Sequence, residues 1–144
     1  MSHETILYGR INGSHGNTDN WYDLYKLNKN VIDNLPDEDD FPCIIKSMFI
    51  PPLTIAGPTF HRNQIITFGA SFKNFDDLDH RLWISKFESL LKRMFWLDVI
   101  AHFDIELFGK HEHRWTATEA AIREMRTLNP KPITDWVYTE QEID

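Results

Sequence analysis

Thiol chemistry is almost absent from these 144 residues, since Cys43 is the only cysteine. An internal disulfide, a thiol-rich zinc site and a CxxC redox pair are all excluded, and a reducing compartment suits the chain. Glycine is scarce as well. Its six copies never fall into GxGxxG or GxxxxGK, so no phosphate-cradling fingerprint is present. No apolar run approaches the length that spans a bilayer, and Met1-Ser2-His3-Glu4-Thr5 lacks the basic start and apolar stretch of a secretion signal. The expected location is cytoplasmic. Basic residues are outnumbered, 15 Lys and Arg against 22 Asp and Glu, for a formal charge of −7. Such a field repels phosphate backbones and anionic lipid, which argues against nucleic acid and membrane and favours a basic protein partner.

Apolar and aromatic residues are plentiful, at 42% and 13% of the chain, which excludes disorder and indicates a packed core. The length fits one globular domain spanning residues 1–144.

The hydrophobic pattern alternates strands with amphipathic helices. Thr5 to Ile11 is β-prone and ends in the loop-forming run Asn12 to Asn17. Thr18 or Asp19 can cap a helix with Trp21, Leu24, Leu27 or Tyr25, Val31, Ile32 and Leu35 at helical spacing, stopped by Pro36. Cys43 to Ile50 predicts a second strand, and a Pro and Gly loop through Pro58 leads to a third, Gln64 to Phe72. Asp76, Asp77 or Asp79 can cap a second helix carrying Trp83, Phe87, Leu90, Leu91 and Met94 on one stripe. The next strand alternates Val99, Ala101, Phe103, Ile105 and Leu107 with Asp98, Ile100, His102, Asp104 and Glu106, the period of a half-buried strand. Gly109-Lys110 suits either a hairpin turn or a bulge in a strand continuing through Trp115. Thr116 with Glu119 resembles a capping box for a short third helix, and the tail keeps Trp136 and Tyr138, which suggests docking onto the body.

These elements predict an α+β domain, an antiparallel sheet with helices on one face, in ferredoxin-like βαββαβ order plus a C-terminal helix. Phe68, Phe72, Phe87, Leu91, Phe103 and Ile105 are expected to share one core. The uncovered face is expected to display Tyr8, Arg10, Thr67, Ser71, His102, Asp104 and Glu106.

His102-x-Asp104-x-Glu106 places three potential ligands on one strand face, about 7 Å from one to the next. Joined by His111 and His113 they offer a divalent-metal set, and a metal-dependent hydrolase or nuclease is the alternative function class. A solvated polar face explains the same alternation more simply, with Arg10 pairing Asp104 or Glu106 across the sheet. No metal or cofactor is therefore expected. Ser71 and Cys43 lie inside strand patterns with no helix start or nucleophile elbow to activate them, so no catalytic residue is assigned. Asp37, Glu38, Asp39 and Asp40 form an acidic run able to occupy a basic cleft, and as a solvated turn it is expected to matter little for folding. Trp115, Trp136 and Tyr138 either anchor an interface or cover the sheet edge.

The block Ile65 to Lys73, the helix Trp83 to Leu91 and the strand around His102 resemble immunity proteins encoded beside polymorphic toxins of the Rhs and contact-dependent inhibition type. The resemblance implies a cytosolic antitoxin that binds one cognate toxin domain, with no catalytic motif to carry over. The expected function is thus non-enzymatic neutralisation of a basic toxin domain. The expected contact residues are Asp37, Glu38, Asp39 and Asp40 first, then His102, Asp104 and Glu106, with Trp115 and Trp136 as anchors. A homodimer through the open sheet is a further candidate assembly.

Overall fold

The computed structural model describes residues 3–15, 21–51 and 63–143. In chain order the elements are β1 (Glu4–His15), α1 (Trp21–Asp33), a 3-10 turn at Lys46–Met48 entering β2 (Phe49–Ile50), β3 (Asn63–Lys73), α2 (Asp77–Leu91), β4 (Asp98–Ile105), β5 (Gly109–Ala117), α3 (Glu119–Met125) and β6 (Trp136–Ile143). All six strands join one antiparallel sheet in the order β2-β3-β1-β4-β5-β6. The α+β class is as expected, and β5 and β6 widen the sheet beyond the four strands of a βαββαβ unit. The cap at Thr18 or Asp19 and the loop through Pro58 lie outside the described residues.

Period-two alternation sets the faces. Leu7, Ile11, Ile66, Phe68, Phe72, Val99, Phe103, Ile105 and Trp115 point to one side and are buried with Trp83, Phe87 and Leu91 of α2 in a single cluster. The six core residues expected from the sequence all belong to it. Helix α2 starts where Asp76 accepts the Asp79 amide while the Asp79 side chain accepts the Asp76 amide, at 2.9 and 3.1 Å. In α1 the structure chooses Tyr25 over Leu27 for the core, the first 6% and the second 41% exposed. The buried Asn28 side chain fixes α1 to the segment after α2, donating to the Phe95 carbonyl and accepting its N–H, at 2.7 and 2.8 Å.

Three local expectations are corrected. Of Cys43 to Ile50 only Phe49–Ile50 pairs as a strand, because side chains take the upstream backbone groups: Asp39 accepts the Ile44 N–H and the Trp83 indole donates to the Cys43 carbonyl. Thr118, not Thr116, caps α3 by accepting the Ala121 N–H, since Thr116 is inside β5, paired with Asp98 and Val137. Arg10 pairs with Asp98 at 2.9 Å rather than with Asp104 or Glu106. Glu106 instead accepts the Glu4 N–H. Gly109 resolves as a hairpin residue with φ of +90°, and the tail forms the edge strand β6.

Gly9 sits where β1 passes closest to its neighbours. A methyl group there would run into the Ile100 carbonyl oxygen and come within 2.5 Å of the Phe68 ring. Gly9→Ala is therefore expected to destabilise by about 2 to 3 kcal/mol in chemical denaturation, the usual cost of overpacking. Unchanged stability would mean that β1 and β3 do not lie in this register.

Candidate functional site: the acidic loop and the outer face of α2

The acidic run is strapped to α2 by one lysine. Lys86 Nζ donates to Asp39 Oδ2 at 3.0 Å, to the Asp40 carbonyl at 2.9 Å and to the Pro42 carbonyl at 3.0 Å. Asp39 also accepts the Ile44 N–H, and these two bonds, the backbone one first, hold its carboxyl below the usual range. The run is thus divided by bonding: all four residues are exposed, and Asp39 is the one whose carboxylate is occupied in folding the loop. This corrects the expectation that folding ignores all four. Asp39→Asn is expected to lower stability by about 1 kcal/mol, discounted because the pair is partly solvated, while amides at Asp37, Glu38 and Asp40 leave the melting temperature in place. Equal losses from both changes would contradict the strap.

Beside the loop, α2 turns apolar residues outward. Leu78 and Leu82 lie one turn apart opposite the Trp83, Phe87 and Leu91 stripe, and are 75% and 46% exposed. Leu82 lies one turn before Lys86. Phe41, half exposed within the loop, packs edge-on against Phe72 and Phe75 next to the start of α2. Asp76, Asp77 and Asp79 add carboxylates at that helix start. Phe41 therefore follows Asp40, Leu78 lies between Asp77 and Asp79, and Leu82 is flanked by Arg81 and Lys86, the composition of apolar residues within a charged rim. Sequence reasoning missed Lys86, Phe41, Leu78 and Leu82. The available signal was two leucines at i, i+4 on the polar side of an amphipathic helix.

His102, Asp104 and Glu106 lie on the uncovered face, as expected. His102 stacks on Tyr8 with centroids 4.9 Å apart and lies 3.9 Å from buried Glu112. Glu112 accepts from Arg114 and Gln141, and the Arg114 bond holds its carboxyl below the ordinary range. His111 and His113 have the opposite parity and lie on the helix side of the sheet, so the five-residue metal set does not converge. Among the described residues no group of three or more His, Cys, Asp or Glu side chains is arranged to hold a metal.

Trp115 is a core residue, fully buried, with its indole N–H donated to Glu88 Oε2 at 2.8 Å. It has no surface to offer a partner, which corrects its place among the contact anchors. Trp136 is half-buried, 5.7 Å from Trp96 between centroids, with Lys92 Nζ 5.9 Å over its ring. Comparison with protein-family models, curated proteins and solved structures finds no match.

One further cluster is buried between α2 and the edge of the sheet. His80 Nε2 faces His113 Nε2 at 2.8 Å, His113 Nδ1 meets Tyr138 Oη at 2.7 Å, and Tyr138 donates to Glu140 at 3.4 Å. Arg81 closes the chain on Glu140 at 2.7 Å. A single donor direction, from His80 through His113 and Tyr138 to the carboxylate, satisfies every link with both imidazoles neutral. Burial pushes both histidines down to about 4 and Tyr138 up to about 12. His80 and His113 are 1% and 0% exposed, so this chain ties β6 to α2 and offers no substrate access.

Proposed function

We propose that this chain is a non-enzymatic binding protein of the immunity type, which neutralises a basic toxin domain in the cytoplasm by direct contact. The contact surface is the loop 37–41 with the outer face of α2. The observation that carries this reading is the Lys86 strap. It takes Asp39 and the Asp40 and Pro42 carbonyls as acceptors, and leaves Asp37, Glu38 and Asp40 facing water on the loop that carries Phe41, with Leu78 and Leu82 exposed on α2. Exposed carboxylates steer a basic partner into encounter, and the desolvated apolar centre supplies the slow dissociation. We also assign strands β1 to β4 with α1 and α2 to a ferredoxin-like core, to which the β5–β6 ribbon is an extension.

The test pairs the chain with the toxin domain that the immunity reading places beside it in the genome, expressed together in bacteria. The wild type is expected to protect growth, and Leu78→Ser/Leu82→Ser to bind at least tenfold more weakly at unchanged melting temperature, since both side chains already face water. Full affinity in that variant would contradict the assigned surface. A chain that gives no protection would contradict the immunity reading itself.

A further inference from the structure

We infer that the uncovered face of the sheet is the interface of a homodimer, two copies packing sheet on sheet.

The face is large enough. Five strands, β1 and β3 to β6, each about 4.8 Å wide and at least about eight residues long at ~3.4 Å per residue, cover on the order of 650 Å² before side-chain relief is added. A stable interface of standard size buries about 800 Å² per partner. Its apolar content exceeds what a solvated sheet face needs. Ile6, Tyr8, Ile50, Ile65 and Val137 are exposed there by 39 to 67%. By register they are spread from β2 across β1 and β3 to β6, with half-buried Ile100 in the middle.

Charge decides between occupants. The chain as a whole carries −7, which repels a second copy from most directions. On this face, however, Glu4, Asp98, Asp104, Glu106 and Glu112 are nearly matched by Arg10, Lys73, Lys110 and Arg114, read from the strand register. Two pairs are already closed in place, Arg10 with Asp98 and Arg114 with Glu112, both at 2.9 Å. A nearly neutral, apolar-centred surface gives a basic toxin little to steer on but lets an acidic chain meet its own copy. A two-fold axis lying in the plane of this face brings the same apolar residues of the two copies together. The acidic loop and Leu78 lie on the helix side, so both copies of the toxin-binding surface stay free.

Sedimentation equilibrium on the full chain at about 100 μM tests this, because interfaces of standard size bind at micromolar Kd or tighter. A species of twice the 17.1 kDa chain mass is expected. Tyr8→Glu, Ile65→Lys and Val137→Lys should each shift it to monomer, at least tenfold in Kd, with an unchanged melting temperature. Should Tyr8→Glu fail to fold, the other two decide, because their side chains only leave water for water. A wild-type monomer at that concentration overturns the inference. So does a dimer indifferent to Ile65→Lys and Val137→Lys, which would place the contact elsewhere. Loss of toxin binding in those variants, with the chain monomeric throughout, would give the face to the partner instead. None of these readings depends on whether the helix-side surface binds a toxin.

Discussion

Truncating Phe103 to alanine is expected to remove about 3 to 5 kcal/mol of folding stability. Phe103 is 1% exposed at the centre of the sheet and its ring meets Phe75, Trp83, His80 and His113 at centroid distances of 4.6 to 5.7 Å. These neighbours come from α2, the turn before it and β5, so no single side chain can relax into the vacated space. The penalty therefore combines lost transfer energy with a cavity that stays open. Urea denaturation measures it directly. A loss below about 1 kcal/mol would mean that the inward face of β4 is misassigned.

The second large effect is acid sensitivity from the His80–His113 pair. In the unfolded chain each imidazole protonates near 6.5, and in the folded chain near 4, because burial penalises the charged form and, for His113, a charged His80 adds to it. The folded state thus binds fewer protons between these values. Stability is fully present above about pH 6.5 and is lost as pH falls toward 4, with on the order of 3 kcal/mol for one group shifted that far. Protonating the pair also breaks the Nε2 to Nε2 contact, since both nitrogens become donors. The carboxyls of Asp39, Glu112 and Glu140, held below their ordinary values, lose stability in the same direction at lower pH still. A variant with phenylalanine at both histidine positions separates the contributions. Between pH 7 and 4.5 the wild type should lose about 2 kcal/mol or more beyond that variant. Parallel pH profiles would show that the imidazoles are not buried neutral.

The strands with strict period-two patterning were legible, because a one-residue slip would have turned Phe68, Phe72, Phe103 and Ile105 into water. The same rule misled where parity was not followed across the hairpin. His111 and His113 are close to His102 in sequence, but Glu112, not its neighbours, shares the face of His102. Cys43 to Ile50 has strand composition, yet its backbone groups are taken by Asp39 and Trp83, partners that no local pattern reveals. The acidic run was visible as charge. Its division into one structural and three free carboxylates was not, because Lys86 lies 46 residues from Asp40 and reaches it only in three dimensions. Trp115 read equally as anchor or cover, and the position of Glu88 under its indole decides for the core.

On the proposed function, a basic toxin domain is steered onto the loop 37–41. The most direct measurement is the association rate constant with that domain, for the wild type and for Asp37→Asn/Glu38→Gln/Asp40→Asn, across a series of salt concentrations. Exposed charges act over about 8 Å at physiological salt and farther below it. The wild type should therefore associate at least tenfold faster than the variant at low salt, and the two rates should converge as salt rises, with both chains equally stable. Equal rates at low salt would contradict the claim and leave the three carboxylates as a solvated turn.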